Sequence, residues 1–240
     1  MTFFMILFGL LVGSFLNVVI YRTPLKQSII APPSHCPACN HRLTWLDLFP
    51  IVSFLWLKGR CRYCHVKVSW RYPLVELVTG FLSWAAWMRF GFTVETAVYL
   101  LFTFALVVIA FIDYDHQIIP NFLTYPGLII GLLFQLWRGA LVEALVGGLI
   151  GGGVLLLIVV FYPKGMGMGD VKYLAMVGVL LGWEKAIYTL FLGSLFGTLI
   201  MIPLLMLKVV EKGKPFSFGP FLVTATFVVM YLSSWLPWFY

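Results

Sequence analysis

Long runs of apolar residues, separated by short polar stretches, dominate this chain. A membrane-spanning helix needs roughly 17–25 mainly apolar residues, and seven runs reach that length. They lie at about Thr2–Tyr21, Pro73–Phe90, Glu95–Ile112, Asn121–Trp137, Ala140–Tyr162, Ala186–Leu207 and Phe218–Phe239. The pattern predicts an all-α polytopic membrane protein.

An eighth apolar segment, Val171–Gly182, is shorter than the others. As a helix it would be about 18 Å long, at 1.5 Å per residue. The polar residues of Gly182–Lys185 follow it and predict a turn before the next run. We therefore expect about eight transmembrane helices. The small residues of GGLIGGG at Gly147–Gly153 predict close packing between two of them.

The composition supports a membrane protein. Hydrophobic residues make up 62% of the 240 residues and charged residues only 10%, and the mean hydropathy is +1.00. A water-soluble domain could not bury this much apolar surface, so lipid must be part of the solvent. A net charge of +7 would suggest a nucleic-acid partner for a soluble protein. In a membrane protein the placement of the basic residues matters more, and we expect no nucleic-acid partner.

The basic residues are distributed unevenly between the two predicted sides of the membrane. With eight spans, the loops on one side hold 13 of the 16 Lys and Arg residues, eight of them in Arg22–Arg71. The positive-inside bias places these loops in the cytosol. The first run has no basic stretch before it and no small-residue cleavage site, so we expect an uncleaved helix that begins outside.

All four cysteines lie in the long loop after the first run, as CPAC and CRYC. Two such pairs present four thiolates at spacings suited to one tetrahedral zinc ion. Two disulfides are the alternative, but thiols stay reduced in the cytosol. We therefore predict a structural zinc site. Its ligands would be Cys36, Cys39, Cys61 and Cys64.

These features divide the chain into three predicted regions. Residues 1–21 form the first transmembrane helix, residues 22–72 form a small zinc-ribbon-like cytosolic domain, and residues 73–240 form a membrane domain of about seven helices. A loop of about 50 residues cannot build a large core, so metal binding would supply much of its folding energy.

Two aspartates are predicted at the cytosolic boundary of the membrane. Asp113 ends one apolar run and Asp170 begins another, in KGMGMGDVK. Two carboxylates brought together would share a proton, an arrangement that activates water for attack on a peptide carbonyl. Asp170 as a simple helix cap is the alternative. Asp115 is the rival to Asp113, but two residues along a helix turn its side chain by about 200°.

The GMGD at Gly167–Asp170 matches the G-x-G-D element of intramembrane aspartyl proteases, and most of the chain resembles one branch of that class, the type IV prepilin peptidases (leader peptidase/N-methyltransferases). The resemblance runs through five segments. They are Gly9–Pro24, Ser34–Cys64, Val68–Gly80, Ile112–Asn121 and Lys164–Gly178. It implies that Asp113 and Asp170 are the catalytic residues. The glycines at Gly165, Gly167 and Gly169 would let an extended substrate approach Asp170.

The same resemblance implies an enzyme of the bacterial cytoplasmic (inner) membrane, with its active site at the cytosolic face. It would cleave the basic leader from type IV prepilins or pseudopilins, which serve type IV pili and protein secretion. It would then N-methylate the new amino terminus with S-adenosylmethionine. The sequence contains no glycine-rich nucleotide motif, so this second step depends on the resemblance alone.

Two other classes compete with this interpretation. A transporter or assembly factor could use the aspartates as a proton relay, but such proteins often carry repeats and mid-span carboxylates. A zinc metalloprotease would need an H-E-x-x-H motif and an open metal position. The chain has no such motif.

Overall fold

The computed structural model describes residues 1–162, 166–210 and 216–232. Within these ranges the chain forms nine α-helices and one π-helical turn. They are α1 Thr2–Arg22, α2 Val52–Trp56, α3 Arg71–Phe90, α4 Val94–His116, α5 Asn121–Trp137, α6 Leu141–Phe161, α7 Met168–Leu181, α8 Trp183–Met206 and α9 Gly219–Phe227, which continues into the π turn Val228–Leu232. The described residues outside the helices contain two isolated antiparallel bridges and no β-strand.

A helix lies at each of the eight predicted apolar segments. Four helices, α1, α4, α6 and α8, are long and apolar enough to cross a membrane, whereas α5 and the segment Gly219–Leu232 are apolar but shorter. Large apolar side chains on these helices are exposed, including Leu149, Leu157 and Val160 of α6. Such surfaces are stable in lipid, so the all-helical membrane protein is confirmed. The count of eight spans stays a prediction.

The predicted turn between the short apolar segment and the next run is present. Helix α7 ends at Leu181 and α8 begins at Trp183. Gly182 between them has φ +94°, a conformation that side-chain-bearing residues rarely adopt. This glycine separates the two helices.

The chain divides into two compact units, Met1–Val108 and Ile109–Tyr240, and the division falls inside α4. In the first unit, α1 and α3 pack closely as an antiparallel pair. Gly13 lies against the backbone of Glu76, and the Asn17 side-chain amide donates a hydrogen bond of 3.1 Å to the Tyr72 carbonyl. An added Cβ at Gly13 would lie 2.8 Å from Glu76 Cα, so the close approach depends on the glycine.

In the second unit, α7 is the most enclosed helix and packs against α5, α6 and α8. The glycines of α6 make close contact with its backbone: Gly147 meets Gly178, and Gly151 meets the Leu174 carbonyl. The predicted packing role of the GGLIGGG segment is therefore confirmed. Helix α7 has 14 residues, which is about 21 Å of helix.

Candidate active site

Asp113 lies one turn before the end of α4 and is buried, with 5% of its surface exposed. The Gly219 N–H donates a hydrogen bond of 2.8 Å to Asp113 Oδ2. Gly219 is the first residue of α9, so its N–H has no acceptor within its own helix. The start of α9 thus supplies a fixed donor to this carboxylate.

Asp170 lies in the first turn of α7 and is also buried, with 8% exposed. Its Oδ2 accepts a hydrogen bond of 3.2 Å from the Gly167 N–H, and its own N–H donates to the Gly167 carbonyl at 3.1 Å. Asp170 therefore does cap its helix, as the alternative interpretation expects. The cap uses one carboxylate oxygen and leaves the other for chemistry.

The two aspartates lie close enough for the charge on Asp113 to act on Asp170. Both belong to the second compact unit, although 57 positions separate them in the sequence. Each carboxylate accepts one backbone N–H. The structure thus brings two buried carboxyl groups near each other. This is the arrangement that general acid–base hydrolysis requires.

The structure distinguishes Asp113 from its rival. Asp115 and His116 are exposed, whereas Asp113 is buried. This agrees with the turn of about 200° between residues two apart on a helix.

The glycines before Asp170 have different surroundings. An added Cβ at Gly169 would come within 3.0 Å of Ile119 Cβ, so this glycine is needed for packing. A Cβ at Gly167 would meet no atom closer than 3.8 Å. Gly165 lies outside the described residues. A substrate-approach role for the three stays a prediction.

The four cysteines form the expected cluster. Their sulfur atoms all lie within 4.8 Å of one another, and the sulfurs of Cys36 and Cys64 are 3.8 Å apart. A zinc ion with four sulfurs at about 2.3 Å in a tetrahedron would separate them by about 3.8 Å. The donor set and the spacing therefore fit a structural zinc site.

The two cysteine pairs share one backbone geometry. In the first pair the Cys36 N–H donates to the His41 carbonyl, and in the second the Cys61 N–H donates to the Val66 carbonyl. The residue after the second cysteine has positive φ in both, at Asn40 and at His65. Each pair is thus a closed turn that directs its sulfurs inward.

The thiols are electrostatically inequivalent. Burial opposes ionisation of Cys36, but hydrogen bonds from the backbone of Cys39 and Ala38 and from neighbouring thiols outweigh it and lower its pKa to about 7. For Cys64, which is exposed, a hydrogen bond from the Val66 backbone lowers the pKa, yet some desolvation and hydrogen bonding with the other three thiols raise it to about 12.

Asp47 lies between the two cysteine pairs in sequence and contacts Arg62 of the second pair. Its Oδ1 lies 2.6 Å from Arg62 Nε, and its Oδ2 accepts hydrogen bonds from the Thr44 hydroxyl and N–H. Burial would raise the pKa of Asp47, but these partners outweigh burial and lower it.

Two family models match the chain. The bacterial peptidase A24 N-terminal domain matches residues 7–90, and the type IV leader peptidase family matches residues 100–202. The chain is 39% identical to the prepilin leader peptidase/N-methyltransferase of Aeromonas hydrophila, over 93% of this chain and 88% of the relative. The chain belongs to the type IV leader peptidase family. The predicted family and enzyme class are thereby confirmed.

Other type IV leader peptidases are similarly close. The chain is 39% identical to the prepilin leader peptidase/N-methyltransferase of Pseudomonas aeruginosa, over 94% of this chain and 88% of the relative. It is 43% identical to the one from Myxococcus xanthus, over 85% of this chain and 63% of the relative. No solved structure shows a significant match.

In this leader peptidase, sequence reasoning did not identify Gly219 or the pair Tyr173–Thr226. The Tyr173 and Thr226 hydroxyls lie 2.6 Å apart and join α7 to α9 inside the second unit. Tyr173 is one turn after Asp170, and α9 begins with the Gly219 donor to Asp113. The only sequence signal is Gly219-Pro220 at the start of an apolar run, which is typical of a helix start.

Proposed function

We propose that this member of the leader peptidase family is a membrane aspartyl endopeptidase that removes the basic leader from type IV prepilins or pseudopilins. Asp113 and Asp170 are its catalytic residues. The observation that carries the proposal is the pair of buried, interacting carboxylates, each oriented by one backbone N–H. The name of its relatives, prepilin leader peptidase/N-methyltransferase, gives the substrate class.

The hydrolysis follows from the shared proton. The ionised carboxylate takes a proton from water as the oxygen forms a bond to the scissile carbonyl carbon, and the protonated carboxyl group donates its proton to the carbonyl oxygen. The tetrahedral intermediate then collapses and the C–N bond breaks. The departing amine receives the proton taken from water, and the carboxylate that protonated the carbonyl oxygen takes a proton back from a hydroxyl group of the intermediate as the C=O bond re-forms. The pair then holds one proton again and is ready for another cycle.

The membrane arrangement accounts for the site of cleavage. Eight spans place the loops with most of the basic residues, and both aspartates, at the cytosolic face of the bacterial inner membrane. The same bias holds a basic leader in the cytosol while the apolar helix of the prepilin lies in the bilayer. The scissile bond then lies beside Asp113 and Asp170. Among the described glycines, Gly167 and Gly169 let the extended substrate approach Asp170.

The loop of residues 22–72 is a zinc-stabilised cytosolic domain. Cys36, Cys39, Cys61 and Cys64 would hold the ion. With four protein ligands the ion would have no open position for a water molecule, so it would serve folding and not hydrolysis.

N-methylation of the new amino terminus with S-adenosylmethionine is the second proposed activity. It is supported by the names of the relatives. The described residues contain no glycine-rich strand-turn-helix of the kind that binds nucleotide-like cofactors. We assign no residue to this cofactor.

The test is cleavage of a prepilin substrate in membranes containing wild type, Asp113→Asn, Asp170→Asn or Asp115→Asn at equal expression. We expect loss of cleavage in the first two variants, because an amide can neither take nor hold the shared proton. Asp115→Asn is the matched control and should remain active. Cleavage by Asp170→Asn would reduce Asp170 to a helix cap and contradict the proposed pair.

A further inference from the structure

The loop between α1 and α3 carries an exposed apolar segment, Trp45–Trp56, which we call the interfacial segment. It includes Trp45 and Trp56, whose exposed fractions are 74% and 80%, and the exposed side chains of Phe49, Val52 and Leu55. Large exposed aromatic and aliphatic side chains next to one another mark an interaction surface. The zinc-binding cysteines lie on either side of the segment in sequence.

Two hydrogen bonds attach this segment to the helix pair α1 and α3. The Ser14 hydroxyl of α1 donates to the Leu48 carbonyl at 3.4 Å, and the Ile51 N–H donates to Glu76 Oε2 of α3 at 2.8 Å. The residues from Leu48 to Ile51 therefore lie level with Ser14 and Glu76. They do not lie at the helix ends.

Ser14 and Glu76 each lie more than one helical turn from the end of their helix that adjoins the loop. Helix α1 has 21 residues and is about 31 Å long, close to the roughly 30 Å hydrocarbon core of a bilayer. Ser14 is about 12 Å from its Arg22 end, and Glu76 is about 7 Å from the start of α3 at Arg71. The interfacial segment thus lies beside α1 and α3, farther from the cytosolic side than the charged residues Arg22 and Arg71 at the helix ends.

Non-helical backbone at such a depth requires its polar groups to be satisfied by protein. Glu76 provides this: its carboxylate is buried and accepts the Ile51 N–H, where φ is +62°. Pro50 beside it has no N–H to satisfy and is buried. The segment therefore has an anchored inner edge, while Trp45, Val52 and Trp56 project outward.

Basic residues follow the apolar segment directly. Lys58, Arg60 and Lys67 are all exposed and lie between the segment and α3. Tryptophan beside Lys and Arg is typical of the membrane–water interface, where the rings lie at headgroup level and the cations attract anionic headgroups.

We propose that the interfacial segment binds lipid: Trp45, Phe49, Val52, Leu55 and Trp56 insert into the cytosolic leaflet, and Lys58, Arg60 and Lys67 contact anionic headgroups. Next to the attachment points Ser14 and Glu76, α1 and α3 themselves expose large apolar side chains, Phe15 and Leu77, which favours lipid over a protein partner. The inference rests on the proposed membrane placement of α1 and α3. It does not depend on the aspartate chemistry.

The test uses the full-length protein in nanodiscs of phosphatidylcholine and phosphatidylglycerol, with acyl chains that are either unmodified or brominated near the carbonyl. Tryptophan emission is recorded for wild type and for Trp56→Phe, and the difference gives the contribution of Trp56. Trp45→Phe provides a second, independent reporter. Trp137→Phe is the positive control, since Trp137 is exposed at the end of apolar helix α5.

We expect the contributions of Trp56 and Trp45 to lose most of their intensity in brominated lipid and to resist aqueous iodide. Lys58→Gln combined with Lys67→Gln should weaken this quenching when phosphatidylglycerol is present. Quenching by iodide and not by brominated lipid would overturn the proposal. So would a Trp56 signal that changes only when a prepilin leader peptide is added, because that result would assign the surface to substrate.

Prepilin cleavage in the same nanodiscs separates this proposal from the proposed function. Lipid quenching without cleavage by wild type would contradict the peptidase assignment and support the lipid-binding surface. Cleavage by wild type without lipid quenching would support the peptidase assignment and contradict the lipid-binding surface.

Discussion

The contact between Gly219 and Asp113 shows how one missing side chain can set the position of a candidate catalytic group. An added Cβ at Gly219 would lie 2.6 Å from Asp113 Oδ2 and 2.8 Å from its Cγ. The N–H of the same residue donates to that oxygen. Gly219 therefore both leaves space for the carboxylate and orients it.

We predict that Gly219→Ala lowers the rate of prepilin cleavage by about 10²-fold, because a shift of about 1 Å in a catalytic group has an effect of this size. The measurement is the initial cleavage rate in membranes at matched expression.

The matched control for this substitution is Gly153→Ala in α6. A Cβ at Gly153 would meet nothing within 4 Å, and alanine is favoured over glycine in a helix by about 1 kcal/mol. We expect its rate to equal that of wild type. Equal rates for Gly219→Ala and Gly153→Ala would show that cleavage does not depend on the present position of Asp113.

Sequence reasoning located the two aspartates but not the residue that holds one of them. Asp113 and Asp170 stand out because carboxylates are rare in this chain and costly within a membrane. Gly219 gives no comparable signal, since any residue except proline could offer a backbone N–H. Its role follows from a contact between positions 106 residues apart.

The paired cysteine turns form the part of the fold most dependent on a ligand. The turns are short, Cys39 and Cys64 are exposed, and only two of the four cysteines are buried. The hydrophobic effect contributes little to such an element, so the metal would supply much of its folding energy.

We predict that Cys39→Ser lowers the zinc content of the purified protein from about one ion per chain to near zero. It should also make residues 22–72 sensitive to limited proteolysis. Zinc is measured by elemental mass spectrometry, and the cleavage sites are measured by peptide mapping.

The control is His65→Asn, which removes a neighbouring imidazole and keeps a residue type that tolerates the positive φ at this position. It should retain full zinc. Loss of zinc in this variant and retention in Cys39→Ser would assign a ligand role to the histidine instead.

The local sequence was enough to predict the cysteine cluster and the close packing of α6. The C-x₂-C spacing identified the cysteine cluster, and the glycines of α6 indicated close packing. The partner of those glycines was not predictable from the sequence. That Gly147 meets Gly178 of α7 depends on the arrangement of α6 and α7, to which many side chains contribute at once.

The path of the chain through the membrane depends on whether α7 crosses it as a separate helix. The break at Gly182 separates α7 from α8. If both helices cross, then Trp183–Lys185 faces outside and Lys208 faces the cytosol. This assignment agrees with the distribution of basic residues.

We predict that alkaline phosphatase fused after Lys185 is active, because it is exported, and that a fusion after Lys208 is inactive. Fusions to a fluorescent protein that matures only in the cytosol should show the opposite pattern. The reversed pattern, an inactive fusion after Lys185 and an active one after Lys208, would mean that α7 does not cross the membrane. Equal behaviour of the two junctions would mean that α8 does not cross it, and either result would contradict the eight-span arrangement.

The short length of α7 matters when the thickness of the bilayer changes with temperature. At about 21 Å it is much shorter than the hydrocarbon core, yet it is enclosed by α5, α6 and α8 and exposes little to lipid. Bacteria that remodel their acyl chains on cooling or warming alter bilayer thickness, and lipid-facing helices respond by tilting. Because α7 contacts protein over most of its surface, we expect the position of Asp170 to depend on α5, α6 and α8 and not directly on the thickness of the bilayer.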